Sequence, residues 1–478
     1  MKELKRTAEK NNGRYYTPSD MVCFILDTAN YCGNNILQKH IIDNSCGDGA
    51  FLCEIVRRYC ETALKKGYST QQLKNDLEHY IHGIEIEKTE YQKCIDNLNK
   101  ITELSSIYNI EWDIKNRDTL TVQDYNGKMD FVVGNPPYVR VHNLLDYSAV
   151  KQFYLSQQGM TDLYIVFYEI GINMLNKTGV LCYINPSSLF NSLAAKLLRK
   201  NLIQNQLLKK VIDLKHKQIF NATTYTAIIL LTRENNKYIE YTNFENQQTE
   251  KLNYNEFYID ENFYFSNKNN LKKIKNIFFR QPEKNIIDVK NGFATLCDNF
   301  FIGQFDFEEY TIPVIKSSTG TMTKCFYPYD KTGKYIPFDE LIKVPKIKNY
   351  YFENEERLKS RSLENKNIWH VFGRSQGILD TWKNKYAINA LIRNIDDIKL
   401  TPCPAGTGSY SGLYILTELS FNELKRILFQ QEFVDYIQSL GKYKQGGYYT
   451  FSSKDLLKYL DYKIVGDNNG QSDLFECA

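Results

Sequence analysis

The chain has 478 residues, 42% hydrophobic and 24% charged, which excludes a largely disordered chain and exceeds the usual size of one domain, so two domains are expected. Sixty Lys and Arg against 56 Asp and Glu leave a net charge of +4, too small either to demand or to exclude a nucleic-acid partner. The 11 cysteines include no Cys-x-x-Cys pair, and no apolar stretch reaches the roughly 20 residues needed to span a bilayer, so the expectation is a cytoplasmic protein without disulfides, zinc site or membrane segment.

From His40 to Thr232 short apolar runs alternate with longer amphipathic ones, the pattern of a largely parallel, doubly wound α/β sheet. Strands are predicted at Ile41 to Asn44, Ile81 to Ile86, Phe131 to Gly134, Val180 to Ile184 and Ala227 to Leu231, with one more at Tyr238 to Tyr241. Helices are predicted at Phe51 to Lys65, Lys88 to Lys100, Asp162 to Leu175 and Leu189 to Gln204. The polar stretch from Arg233 to Tyr254 suggests a boundary, giving domains 1–245 and 246–478. The second half lacks the alternation. It carries Gly- and Tyr-rich loops and one amphipathic helix from Ser420 to Leu440.

Directly after the first strand comes Asp43-Asn44-Ser45-Cys46-Gly47-Asp48-Gly49. Glycines at 47 and 49 permit a tight turn and close approach of a ligand to the backbone. Glu85, followed by Ile86, ends the next strand, where a carboxylate can accept hydrogen bonds from ribose hydroxyls. Asp118 and Thr119, after a third strand, suit an adenine amine.

The fourth strand runs into Asn135-Pro136-Pro137-Tyr138. Two prolines fix a rigid extended turn that holds a backbone carbonyl in one direction, and Asn135 adds an amide oxygen beside it. Two such acceptors suit a planar amine whose lone pair is delocalised into a ring, because binding its hydrogens favours a more tetrahedral nitrogen. Tyr138 offers a face on which a base can stack. The bland reading is a Pro-rich turn capped by an aromatic; its position after the ligand turn favours chemistry.

With Gly13-Arg14-Tyr15-Tyr16-Thr17-Pro18 ahead of the glycine turn, residues 13–232 resemble the catalytic domain of gamma-class DNA adenine-N6 methyltransferases. The resemblance implies a Rossmann-like methyltransferase sheet that binds S-adenosylmethionine (SAM) and transfers its methyl group to N6 of an adenine flipped out of duplex DNA, without a metal. It implies that Tyr16, Thr17 and Pro18 cover SAM, that Asp43 and the turn from Ser45 through Cys46 and Gly47 to Gly49 approach its methionine end, and that Glu85 holds its ribose, with Ile86 and Asn135 also at the cofactor. Asp118 and Thr119 would contact its adenine, and Asn135 to Tyr138 would form the reaction site. Phe220 is the implied second stacking face opposite Tyr138, with Tyr225 competing for the role.

The second half resembles, less specifically, an α+β target-recognition domain. Lys316, Arg374, Ser375, Gln376, Tyr448 and Tyr449 are its candidate DNA-binding residues; structural turns are equally consistent with each one alone. The expected partner is double-stranded DNA, with a separate cognate restriction endonuclease as a further candidate. Only 12 residues precede Gly13 and no metal-carboxylate constellation follows, so a fused nuclease is not expected. Cytosine N4, a protein glutamine, or an inactive DNA-binding module stay open as alternatives.

Overall fold

The computed structural model describes residues 16–140, 148–220, 224–280, 286–363 and 365–468. Gly13 to Tyr15 and Asn221 to Thr223 therefore lie outside the described residues. The chain divides into two compact units, Met1–Leu271 and Lys272–Ala478.

The first unit is an α/β fold around one mixed sheet. Its strands are β1 (Ile41–Asp43), β2 (Ile81–Ile84), β3 (Asp113–Lys115), β4 (Met129–Gly134), β5 (Leu175–Pro186), β6 (Leu208–Asp213), β7 (Thr226–Thr232), β8 (Tyr238–Asn243) and β9 (Gln248–Asn253). They lie in the order β3-β2-β1-β4-β5-β7-β6-β8-β9, parallel from β3 to β5 and antiparallel where β7 enters between β5 and β6. The chain order reverses between β1 and β4, so a crevice opens at the carboxyl ends of those two strands.

Periodicity explains the layers. Phe51, Leu52, Ile55, Val56 and Tyr59 bury one stripe of the helix Ala50–Lys65, while Arg57 and Glu61 stay outside and pair with each other. Helices Lys88–Glu103 and Leu163–Met174 form where the sequence predicts them.

Three expectations need correction. The helix predicted from Leu189 begins only at Lys196, after a 3-10 turn at Ser187–Phe190. The buried Arg199 guanidinium draws the carbonyls of Leu189 and Ser192 to itself at 2.8 Å each, so the chain is held in a loop there. Ser420 to Leu440 is two helices, Phe421–Leu428 and Gln431–Ser439, because Phe429 and Gln430 leave helical geometry between them. The unit boundary falls after Leu271 instead of near residue 245: β8 and β9 continue the main sheet, using the polar stretch as an edge hairpin.

Among its described residues the second unit holds three small sheets. One orders Ile287–Asn291, Leu413–Thr417, Lys385–Ile388 and Leu400–Cys403; another orders Ile302–Gly303, Thr321–Phe326, Thr311–Lys316 and Gly408–Tyr410. The third sets Leu391–Ile392 beside Tyr448–Thr450 and Tyr443–Lys444. An aromatic core including Phe300, Phe301, Phe326, Tyr351 and Phe372 fills this unit. Among the described residues no helix is long and apolar enough to cross a membrane.

Candidate active site

Two turns meet at the crevice between β1 and β4. After β1 the chain turns through Gly47 (φ +55°) and Gly49 (φ +91°) into the helix Ala50–Lys65. A Cβ on Gly49 would lie 2.9 Å from Cys94 Sγ, so the helix Lys88–Glu103 packs directly against this turn. The Gly47 N–H donates to Glu85 Oε2 at 2.9 Å and the Glu87 N–H to Glu85 Oε1 at 2.8 Å, which orients the carboxylate at the end of β2. Ile86, next to it, is exposed.

Asp43 is buried, and Ser45 N–H donates to its Oδ1 at 3.0 Å. Burial pushes its carboxyl up to about 7, with the nearby Glu85 charge adding to the effect against that hydrogen bond. The close approach of β4 depends on Gly134 (φ +147°), where a Cβ would sit 2.6 Å from Asp43 Oδ1. Beside it Asn44 is fully buried, accepting from Tyr183 Oη at 2.9 Å on Oδ1 and from Thr119 Oγ1 at 2.7 Å on its carbonyl. Thr119 is therefore committed to holding the end of β1, while the half-buried Asp118 accepts from Leu120 N–H at 3.0 Å and caps a short 3-10 turn. Cys46 is buried beneath the turn with its thiol pushed up by Cys94 and by burial.

The second turn leaves β4. Asn135 Nδ2 donates to Thr17 Oγ1 at 3.2 Å, and Ser45 Oγ reaches the Asn135 carbonyl at 3.5 Å, so the N-terminal element and both turns join at one residue. Pro136 is buried and Pro137 half-buried. Tyr138 Oη donates to the Ile184 carbonyl at 3.1 Å, which fixes the ring against β5. Phe220 stands edge-on to that ring with centroids 6.1 Å apart and planes at 75°, and Tyr164 flanks it at 6.4 Å. Tyr225 packs instead against His216, at 5.7 Å.

Tyr16, half exposed, donates from Oη to Glu90 Oε2 at 3.1 Å, and Lys93 Nζ donates to Glu90 Oε1 at 2.8 Å. Pro18 ends the N-terminal element by leading into the helix Ser19–Thr28. Burial, followed by Glu90, raises both Tyr16 and Asp48. Asp43, Asp48, Glu85 and Glu90 thus surround one glycine turn. That set of acceptors fits a ligand carrying positive charge together with ribose hydroxyls, as SAM does with its sulfonium and ammonium groups.

In the second unit Arg374, Ser375 and Gln376 are exposed in succession on one loop. Its stem is pinned by the buried Arg361, which donates to the carbonyls of Thr295, Trp369 and Val371, and by the Arg374 N–H to the Ala294 carbonyl at 2.9 Å. A cavity of about 580 Å³, lined in part by Tyr329, Tyr335, Phe372 and Ser375, opens beside it. Lys316 ends the strand Thr311–Lys316 at a hairpin turn. Tyr448 is covered by Arg393, and Tyr449 packs on Tyr443 at 5.6 Å. Sequence reading misses Glu90, Tyr183 and Arg361, each of which holds at least one partner 66 to 139 residues away, Tyr16, Asn44 and Thr295 respectively.

Residues 37–220 match the family model described as Eco57I restriction-modification methylase. The type II methyltransferase M.BstVI of Geobacillus stearothermophilus is 26% identical over 413 residues, covering 74% of this chain and 73% of the relative. The type II restriction enzyme and methyltransferase RM.Eco57I of Escherichia coli is 23% identical over 85% of this chain, which spans only 52% of that relative. In fold, the chain resembles the type IIL restriction-modification enzyme MmeI, solved in complex with DNA, with a TM-score of 0.61 at 14% identity over 91% of this chain and 65% of that one. The segment similar to the Eco57I restriction-modification methylase model, residues 37–220, holds both turns and Asn135 to Tyr138.

Proposed function

We propose that this protein is a restriction-modification DNA methyltransferase that uses SAM to methylate N6 of an adenine extruded from duplex DNA. The observation that carries the reading is the junction at Asn135, where the Thr17 element, the Ser45 turn and the end of β4 are tied together by hydrogen bonds. The names of the relatives and the DNA-bound state of MmeI support the coarser statement; the Asn-Pro-Pro-Tyr segment supports adenine.

Glu85 would hold the ribose of SAM, Asp43 and the 45–49 turn its methionine end, Asp118 its adenine, and Tyr16, Thr17 and Pro18 its exposed side. When bound, SAM supplies a methyl group made electrophilic by the sulfonium. The protein's part is orientation. With Asn135 Nδ2 engaged by Thr17, its Oδ1 would be the amide atom offered to the incoming amine, where with the neighbouring backbone carbonyl it would draw the amine hydrogens and free the nitrogen lone pair. Tyr138 stacks on the base, and the second unit reads the flanking sequence.

Purified protein incubated with duplex DNA and methyl-labelled SAM should transfer label to the DNA. Absence of transfer to any DNA containing all short sequence contexts would refute the proposal.

A further inference from the structure

The strand Leu391–Ile392 pairs with Tyr448–Thr450 in the register Leu391↔Thr450 and Ile392↔Tyr449. Continued by one residue, that register sets Arg393 opposite Tyr448, and the guanidinium carbon lies 4.3 Å from the Tyr448 ring centroid. Tyr448 follows a turn in which Gly446 and Gly447 both hold φ +77°. The backbone of Arg393 and two of its guanidinium nitrogens are also held. Its backbone N–H donates to Asp397 Oδ2 at 2.9 Å, Nε to the same oxygen at 3.1 Å and Nη2 to Oδ1 at 3.4 Å, while Gln438 Nε2 donates to the Arg393 carbonyl at 2.9 Å.

The side chain so restrained is 48% exposed. Ordering a long exposed side chain costs rotamer entropy, and an exposed ion pair returns little stability, so folding alone does not account for the arrangement. The fork to Asp397 uses Nε and Nη2 and leaves the Nη1 end of the guanidinium pointing away from the carboxylate. A planar donor pair fixed by a carboxylate and an aromatic face suits a rigid pair of acceptors. On duplex DNA such a pair is O6 and N7 of guanine in the major groove.

We propose that Arg393 reads a guanine of the recognition sequence through its outward guanidinium edge, with Asp397 and Tyr448 as positioning residues. This deepens the reading of the protein as a DNA methyltransferase and rests on it.

The test maps methylation by single-molecule sequencing on unmethylated genomic DNA treated with full-length wild type, Arg393→Gln or Asp397→Asn. The wild type should methylate one motif that contains guanine. Arg393→Gln should lose preference at one guanine position by at least about tenfold, and Asp397→Asn should lose it at the same position to a smaller degree, with SAM affinity and thermal melting unchanged. A uniform fall at all sites with a shallower salt dependence would assign Arg393 to a phosphate and overturn the proposal. Unchanged selectivity in both variants, or a wild-type motif without guanine on either strand, would also overturn it. If Arg393→Gln fails to fold, Asp397→Asn and Tyr448→Leu decide by the same criterion. A wild type that modifies no DNA sinks the methyltransferase reading itself, and the wild-type lane separates that result from a failure confined to Arg393.

Discussion

Thr17 Oγ1 accepts a hydrogen bond from Asn135 Nδ2 at 3.2 Å across 118 residues of sequence, which sets the amide nitrogen of Asn135 on the Thr17 side. Thr17→Val keeps the shape and removes the acceptor. Turnover should fall about tenfold, the effect of one lost hydrogen bond, with SAM affinity within a few-fold. Thr17→Ser should restore most of it. Steady-state kinetics on a cognate oligonucleotide make the comparison, and equal rates for all three proteins would remove Thr17 from the account.

Asp43 yields a pH prediction. Its folded-state carboxyl sits at about 7, above the ordinary 3.8, so its contribution to stability is complete below about pH 4 and is lost as pH rises through about 7. The full difference is about 4 kcal/mol by order of magnitude. Relative to wild type, Asp43→Asn should therefore gain stability between pH 5 and pH 8 in urea melts. A cationic ligand beside Asp43 should drive its proton off, so calorimetric titration with SAM near pH 6.5 in buffers of different ionisation enthalpy should reveal proton release that fades above about pH 8. Identical heats in all buffers would place the ligand's positive charge elsewhere.

Tyr138 and Phe220 meet edge to face at 6.1 Å, whereas a base sandwiched between parallel rings needs about 7 Å, two stacking distances. Base entry must therefore turn or part these rings. Replacing either with Ala should remove stacking worth about 1 to 3 kcal/mol and change the emission of 2-aminopurine at the target position. Tyr225→Ala, packed on His216, should titrate like wild type. A larger defect in Tyr225→Ala than in Phe220→Ala would reverse the assignment.

Tyr183→Phe removes the hydroxyl that donates to the buried Asn44 Oδ1. The cost should be about 1 to 3 kcal/mol of stability, accompanied by weaker SAM binding because Asn44 anchors the glycine turn. A melt and a SAM titration together check this; loss of stability with unchanged affinity would make Asn44 a core residue only.

The fold class was legible because β1, β2 and β4 are apolar runs buried on both faces, each followed by a helix or a Gly or Pro signal. β6 was not, since Leu208-Lys209-Lys210-Val211 has neither alternation nor a continuous apolar run, and its place beside β7 is set by tertiary pairing. The small strands of the second unit are two to six residues long, too short for a period to register. In the candidate site, the glycine turn, Glu85 and the Asn135 segment announce themselves by local chemistry. The bonds that tie Asn135 to Thr17 and Asn44 to Tyr183 join residues 118 and 139 positions apart and are invisible to any local pattern.

The most direct measurement digests methylated duplex DNA to nucleosides and identifies the product. N6-methyladenine is expected with wild type and should be nearly absent with Asn135→Ala, even though that variant still binds SAM within a few-fold of wild-type affinity. N4-methylcytosine as the sole product, or undiminished N6-methyladenine from Asn135→Ala, would contradict the assignment.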